Sequence, residues 1–292
     1  MRKGSIVALV TPFREDGEID ESTLRSLLNW HADQGTDGIL VCGTTGESAT
    51  LSHQEHKHLI DIAVQEIDGR IPVIAGCGSN ATREALDLTR YAHQAGADAA
   101  LVITPYYNKP TQEGLYRHFK TIADDVGIPI LLYNVPSRTG VNMTPETVIR
   151  LYRDCKNIVG LKEAGGSLDQ MTALMKGVDK EFLLYSGTDE LILPVLSVGG
   201  AGVVSVVANI LPRQTHRLVQ SFLQGNREEA ATAQFALYDL IKTLFIETNP
   251  IPVKTALGLM GRLKPVLRLP LCPMGESHLE KLTQALTQYG IL

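Results

Sequence analysis

The sequence lacks any concentration of positive charge. Across 292 residues, 27 Lys and Arg residues stand against 32 Asp and Glu residues, which gives a formal net charge of -5. Phosphate backbones are bound by clustered Lys and Arg side chains, and no such run occurs here, so nucleic-acid binding has little support. An anionic substrate would have to be bound by local rather than global positive charge.

Long apolar runs are missing as well. No window approaches the roughly 18 consecutive apolar residues that a membrane span needs. Residues 1–4 lead directly into a strand-like run, without the apolar core and cleavage site of a signal peptide. The four cysteines form no C-x-x-C pair, and Cys42 and Cys77 lie in apolar runs where a reduced thiol packs as a small hydrophobic group. We expect a cytoplasmic, reduced protein.

The histidines form no recognisable metal-binding pattern. His53, His56 and His58 share one short predicted helix, no cysteine lies near them, and the carboxylate and histidine spacing of zinc enzymes is absent. We therefore expect a mechanism without a metal ion.

What the sequence does contain is a regular alternation of short apolar runs and amphipathic segments. The runs are almost continuously apolar, which is typical of strands covered by helices on both faces. The segments between them have helical periodicity and readable ends, for example 20–34 before Gly35 and the segment opened by Thr144 and Pro145. Eight strand and helix units in roughly 220 residues predict an α/β fold, the (β/α)8 or TIM barrel, rather than an open doubly wound sheet. The eight predicted strands are 5–11, 38–43, 72–78, 99–107, 129–136, 158–164, 182–187 and 202–209.

The chain becomes helical throughout after the eighth unit, with predicted helices at 227–245, 252–260 and 276–289. These are too many for the ring of helices around a barrel. We expect a barrel domain with the active site over 1–225 and a small all-helical C-terminal appendage over 226–292, used in packing or assembly. The Asn-Pro-Ile-Pro stretch at 249–252 could equally be a simple loop.

Lys162 is the first candidate catalytic residue. Active sites of such barrels lie at the C-terminal ends of the strands, and Lys162 closes an apolar run. A desolvated wall disfavours the ammonium form, so the amine could attack a carbonyl group. The alternative is a structural ion pair with Glu163, but consecutive strand residues face opposite ways.

Two further strand ends carry polar groups. Tyr133 could exchange protons with an intermediate on Lys162, or it could be a capping aromatic whose hydroxyl meets solvent. Arg138, in the turn-rich loop 136–140, could bind a carboxylate or be an ordinary surface charge. The Gly-Thr-Thr-Gly turn at 43–46 offers hydroxyls and backbone amides to a carboxylate, although such turns also occur for conformational reasons alone.

With these residues identified, the chain resembles the dihydrodipicolinate synthase family, within the N-acetylneuraminate lyase superfamily. The resemblance covers essentially the whole chain, and it rests on a set of motifs at the expected spacings: 43–48, Tyr106-Tyr107, 133–136, 138–140 and Lys162-Glu163.

The resemblance implies a reaction without a cofactor. Pyruvate would condense with Lys162 as a Schiff base, become an enamine, and attack the aldehyde of L-aspartate 4-semialdehyde. Release of 4-hydroxy-tetrahydrodipicolinate would be the committing step of lysine and diaminopimelate biosynthesis. The family roles carry over as follows: a proton relay of Tyr133, Thr44 and Tyr107, a pyruvate carboxylate site at Thr45, and a pyruvate pocket with Gly187 and Val204, where isoleucine is more familiar than valine.

The same resemblance implies a homotetramer built as a dimer of dimers, in which Tyr107 reaches the active site of the neighbouring subunit. Arg138 favours the synthase over a lyase that cleaves a sugar acid to pyruvate, because L-aspartate 4-semialdehyde brings a second carboxylate. A non-catalytic barrel is the remaining alternative, and the joint presence of Lys162, Tyr133, Thr44 and Tyr107 argues against it.

A second site for L-lysine as a feedback inhibitor is also implied. Glu84 would pair with the α-ammonium group, Asn80 and Tyr106 would hydrogen-bond the α-carboxylate, and His53 and His56 would border the side-chain amine. The alternative is an exposed pair of polar helices. The complete predicted lysine site is Ser48, Ala49, His53, His56, Asn80, Glu84 and Tyr106.

Overall fold

A computed structural model describes residues 2–292. Eight parallel strands form a closed barrel in chain order, and the first strand pairs with both the second and the eighth. The predicted (β/α)8 fold is confirmed. The strands are β1 Gly4–Ala8, β2 Gly38–Val41, β3 Val73–Gly76, β4 Ala99–Ile103, β5 Ile130–Asn134, β6 Ile158–Glu163, β7 Leu183–Ser186 and β8 Gly202–Ser205.

Each strand ends before the end of the apolar run from which it was predicted. The run 99–107 contains β4 only as far as Ile103, and Tyr107 adopts a left-handed conformation with φ of 71°. In the run 38–43, Cys42 has φ of 54° directly after β2. Extended backbone cannot pass through this region, so the apolar tails leave the sheet and form the loops at the barrel mouth.

The helices begin and end close to the predicted residues. Asp20 caps the first helix by accepting a hydrogen bond from the Thr23 amide, and Pro145 occupies the first turn of the sixth. The third helix begins at Thr82, after a turn in which the Ser79 hydroxyl accepts a hydrogen bond from the Ala81 amide. The helices are α1 Glu21–Asp33, α2 His53–Ile67, α3 Thr82–Ala95, α4 Gln112–Asp125, α5 Pro136–Thr139, α6 Pro145–Asp154, α7 Leu168–Gly177, α8 Ile192–Ser197, α9 Pro212–Leu223, α10 Arg227–Thr243, α11 Ile251–Leu259 and α12 Glu276–Tyr289, with short 3-10 turns at Ser48–Thr50, Asp189–Leu191 and Val207–Asn209.

The buried apolar side chains form two clusters. One fills the barrel interior and includes Leu101, Tyr133 and Val204. The other lies between the strands and the surrounding helices, and it extends without a break to Leu237 of α10 and Val253 of α11. The boundary that we propose after residue 225 falls at the turn between α9 and α10, where Gly225 has φ of 91°.

No helix within residues 2–292 is both long and apolar enough to cross a membrane.

Candidate active site

Lys162 and Tyr133 lie side by side at the barrel mouth. They are partners in the register between β5 and β6, and the Lys162 Nζ atom is 4.2 Å from the centre of the Tyr133 ring. Both residues are about 6% exposed. Burial thus shields the pair from bulk water. The amine and the phenol that were singled out separately are therefore brought together.

Glu163 points away from this pair, as strand alternation predicts. Its carboxylate accepts hydrogen bonds from the Asn134 and Gln170 side-chain amides at 2.9 and 3.2 Å. Burial raises the pKa of Glu163 above its usual value, although the hydrogen bond from Asn134 opposes this shift. Within residues 2–292, Lys162 takes part in no ion pair. The structural ion pair that was the alternative for Lys162 is thus absent from the described chain.

The loop 43–48 follows β2 and folds back on itself. The Gly46 and Glu47 amides donate to the carbonyls of Gly43 and Thr44, both at 3.1 Å, and the Thr11 hydroxyl donates to the Gly46 carbonyl at 2.7 Å. Thr45 is buried. Its Oγ1 atom accepts a hydrogen bond from the Asn249 side-chain amide at 3.0 Å. The loop therefore presents Thr44 to the barrel mouth, while Thr45 is held by Asn249 from the C-terminal part of the chain.

An ion pair between Glu47 and Lys254 fastens the same loop to α11. Both side chains are completely buried, and the Arg268 backbone amide donates to the second carboxylate oxygen of Glu47 at 3.1 Å. The Lys254 Nζ atom also lies 4.1 Å from the centre of the Phe13 ring. Burial lowers the pKa of Lys254 to about 8 although the Glu47 carboxylate opposes this.

Arg138 lies in the single turn α5, between Pro136 and the left-handed Gly140. Its guanidinium group is exposed at the mouth and donates from Nη2 to the Asn249 carbonyl at 3.2 Å. Because only one of its donors is used in this bond, the rest of the fork remains available for a carboxylate.

Gly187 follows β7 and Val204 lies in β8, the two strands that come after the β6 strand of Lys162 in the barrel. Gly187 allows no side chain, because an added Cβ would lie 2.6 Å from the Ala164 Cβ, and its amide donates to the Glu163 carbonyl at 2.7 Å. Val204 is 2% exposed and belongs to the interior cluster with Tyr133.

Tyr107 is separate from this group. It is 90% exposed, in a left-handed conformation after β4, whereas Tyr106 beside it is 39% exposed. A side chain this exposed makes few contacts with its own chain.

A cavity of about 430 Å³ joins the catalytic mouth to the predicted lysine site. Tyr133, Thr44 and Arg138 line it from one side. Lys162, Thr45, Gly187, Val204, Asn80 and Tyr107 lie outside the lining. Its members from the lysine site are Ser48, Ala49, His53, His56, Glu84 and Tyr106.

Glu84 is the charged centre of the predicted lysine site. It accepts a hydrogen bond from the Ser79 hydroxyl, and its Oε1 atom lies 2.7 Å from Nε2 of His53. The Ser79 hydrogen bond, together with the charge of His53, lowers the pKa of Glu84. His56 is buried, with Nε2 at 2.6 Å from the Gly76 carbonyl, and burial lowers its pKa. Asn80 donates to the Tyr106 carbonyl at 3.2 Å.

Within residues 2–292, no group of three or more His, Cys, Asp or Glu side chains is arranged to hold a metal ion. Three residues with a clear place in the site were missed from the sequence: Glu47, Asn249 and Lys254. Lys254 did carry a signal, since it is the only charged residue of the otherwise mostly apolar helix α11, and such a residue often marks a buried pair.

Comparisons with known proteins agree over the whole chain. The model of the Dihydrodipicolinate synthetase family matches residues 1–289. A 4-hydroxy-tetrahydrodipicolinate synthase of Nitratidesulfovibrio vulgaris (strain DP4) is 53% identical over 289 residues, which cover 99% of each chain.

Two solved structures are similarly close. The chloride-inhibited dihydrodipicolinate synthase from Acinetobacter baumannii, complexed with pyruvate, superposes with a TM-score of 0.98 at 45% identity and covers 100% of both chains. DHDPS from Cyanidioschyzon merolae with lysine bound has a TM-score of 0.96 at 44% identity, over 99% of this chain and 98% of the other.

Proposed function

Because the chain belongs to the dihydrodipicolinate synthetase family, we propose that it condenses pyruvate with L-aspartate 4-semialdehyde through a Schiff base on Lys162. The product is 4-hydroxy-tetrahydrodipicolinate, which places the enzyme in lysine and diaminopimelate biosynthesis. A single observation carries the mechanism: the buried amine of Lys162 lies against the ring of Tyr133 at the barrel mouth.

The chemistry follows from that pair. The Lys162 amine attacks the C2 carbonyl of pyruvate, and loss of water from the carbinolamine gives the imine. Tyr133 exchanges the protons of these steps, with Thr44 as the next member of the relay. Loss of a C3 proton gives an enamine, which attacks the aldehyde carbon. The amino group of the second substrate then attacks the imine carbon and releases Lys162.

Two separate groups bind the two carboxylates. Thr45 binds the pyruvate carboxylate at the base of the loop 43–48, while Gly187 and Val204 leave room for the methyl group. Arg138 binds the carboxylate of the semialdehyde at the mouth, where its guanidinium group is exposed. A sugar acid presents no such carboxylate there, which favours the synthase over a lyase.

The Schiff base is tested by trapping with pyruvate and borohydride, read by peptide mass. We expect a three-carbon adduct on the peptide that contains Lys162, and none in Lys162→Ala. Lys156→Ala, at an exposed lysine in the turn before β6, is the matched control and should still trap pyruvate on Lys162. An unmodified Lys162 peptide in the wild type would exclude the mechanism.

The second substrate is tested by pyruvate consumption with L-aspartate 4-semialdehyde or N-acetylmannosamine as acceptor. Arg138→Ala should lower kcat/KM for the semialdehyde by about 10- to 100-fold, the range for loss of a charge-assisted hydrogen bond, and leave pyruvate trapping intact. Arg213→Ala, at an exposed arginine of α9, should match the wild type. Turnover with the sugar alone would make the chain a lyase, and full activity of Arg138→Ala would refute the role of Arg138.

We further propose that L-lysine inhibits the enzyme from the cavity side of Glu84. Its α-ammonium group would replace His53 as the partner of Glu84, while Asn80 and Tyr106 bind the carboxylate and His56, Ser48 and Ala49 complete the pocket. The lysine bound in the Cyanidioschyzon merolae relative supports this proposal.

Assembly completes the proposed active site. Tyr107 is exposed on its own chain, so we propose that it enters the site of a neighbouring subunit, in a homotetramer built as a dimer of dimers. There its phenol joins Tyr133 and Thr44 in the proton relay.

A further inference from the structure

Asn249 connects the two carboxylate-binding groups of the proposed reaction. Its side-chain Nδ2 atom donates to Thr45 Oγ1 at 3.0 Å, and its backbone carbonyl accepts from Arg138 Nη2 at 3.2 Å. Asn249 is only 7% exposed, and it stands immediately before Pro250 and α11. One residue of the C-terminal segment therefore touches both substrate-binding side chains through different atoms.

The direction of the hydrogen bond to Thr45 has a chemical consequence. A threonine hydroxyl carries one donor and two acceptor lone pairs. Since the Asn249 amide donates, it occupies a lone pair of Thr45 Oγ1 and leaves the O–H proton free. The hydroxyl can then donate to a carboxylate, which is the role proposed for Thr45.

The reverse orientation of the Asn249 amide is the less favourable one. As placed, the side chain leaves one buried atom, Oδ1, without a hydrogen-bond partner in the described chain. In a flipped amide, Oδ1 would accept the hydroxyl proton of Thr45. The amide nitrogen would then occupy the buried position where Oδ1 now has no partner, so two N–H donors would be left without acceptors instead of one oxygen without a donor. The flip would also remove the donor that the pyruvate carboxylate needs.

We propose that Asn249 is a positioning residue that turns the Thr45 hydroxyl into a donor for the pyruvate carboxylate. The inference rests on the proposed function, since it assigns Thr45 to pyruvate. Asn249 acts on pyruvate only through Thr45. Its hydrogen bond to Arg138 is made by the backbone carbonyl. A substitution of the side chain at 249 therefore preserves this bond as long as the backbone does not move.

This division of roles predicts a selective effect. Asn249→Ala removes the donor to Thr45 and should raise the half-saturating pyruvate concentration by about fivefold, the size of one neutral hydrogen bond. Asn249→Asp has nearly the same volume, but its carboxylate can only accept a hydrogen bond, so it accepts the hydroxyl proton of Thr45. The half-saturating pyruvate concentration should therefore rise further, on the order of 10- to 100-fold. The KM of Asn249→Ala for L-aspartate 4-semialdehyde should stay at the wild-type value, and so should kcat at saturating pyruvate.

The experiment is a double-mutant cycle with Thr45→Val, read by borohydride trapping of pyruvate on Lys162 and by steady-state turnover. Circular dichroism identifies any variant that fails to fold, and Asn249→Asp keeps the test available if Asn249→Ala does not fold. The expected result is that Asn249→Ala causes no further rise of the half-saturating pyruvate concentration when Thr45→Val is already present. Independent effects that multiply, or an equal rise of the KM for the semialdehyde, would overturn the proposal. Wild-type trapping on Lys162 distinguishes that outcome from failure of the proposed function, in which no adduct forms at all.

Discussion

Glu47 and Lys254 form an ion pair in which neither side chain has exposed surface, although 207 residues separate them along the chain. The pair joins the loop 43–48 to α11, so the C-terminal helices contribute directly to the geometry of the proposed pyruvate site. Removing one partner of such a pair leaves a buried charge without compensation, whereas removing both does not.

The single variants Glu47→Gln and Lys254→Met should each lower the free energy of unfolding by about 3–5 kcal/mol, measured by urea denaturation. The free energy of unfolding should fall less in the double variant Glu47→Leu and Lys254→Met than in either single variant. The exposed pair of Lys264 with Glu15 is the control, and Lys264→Met should leave the urea midpoint unchanged. A double variant whose loss equals the sum of the single losses would show that the two residues do not act as a pair.

Arg268 and Glu55 should make stability depend on acid pH. The hydrogen bond from Arg268 lowers the pKa of Glu55 from 4.5 to about 2 in the folded protein. The contribution of Glu55 is therefore fully present above its unfolded pKa and is lost as the pH falls from about 4.5 towards 2.

Glu55→Gln should accordingly lower the urea midpoint at pH 7, and the difference from the wild type should shrink as the pH is lowered to 3. Glu280→Gln, at an exposed position of α12, should follow the wild-type curve throughout. A difference that stayed constant with pH would mean that the charge of Glu55 is not responsible.

Glu84 should control inhibition by L-lysine without controlling catalysis. Glu84→Gln keeps the shape of the side chain but loses the charge that pairs with an ammonium group, so the lysine concentration for half-inhibition should rise by about 10- to 100-fold. Pyruvate and semialdehyde kinetics without lysine should remain those of the wild type. Undiminished inhibition of the variant, or a wild type that lysine does not inhibit, would rule out this site.

Subunits should complement one another if Tyr107 is donated across an interface. Lys162→Ala and Tyr107→Phe are each expected to have little activity alone. Co-expressed, they form mixed dimers with one intact site, so random pairing should restore about one quarter of the wild-type sites. Activity that stays at the average of the two single variants would show that Tyr107 serves its own chain or none.

The strands and helices could be predicted to within a few residues because their signals are local. Strands buried on both faces are continuously apolar, and helix ends carry caps such as Asp20 and Pro145. Strand ends were extended too far, because an apolar side chain such as that of Ile103 or Val135 does not reveal that the backbone turns out of the sheet shortly afterwards.

The sequence by itself determined the barrel, the order of its strands, and the placement of Lys162 and Tyr133 at neighbouring strand ends, since period and strand alternation follow from the chain's own pattern. Only the tertiary structure decided which residues hold the loop 43–48 in place. Asn249 and Lys254 reach Thr45 and Glu47 across more than 200 residues. Their burial and the direction of their hydrogen bonds depend on how α11 packs over the barrel mouth, and no local pattern encodes that contact.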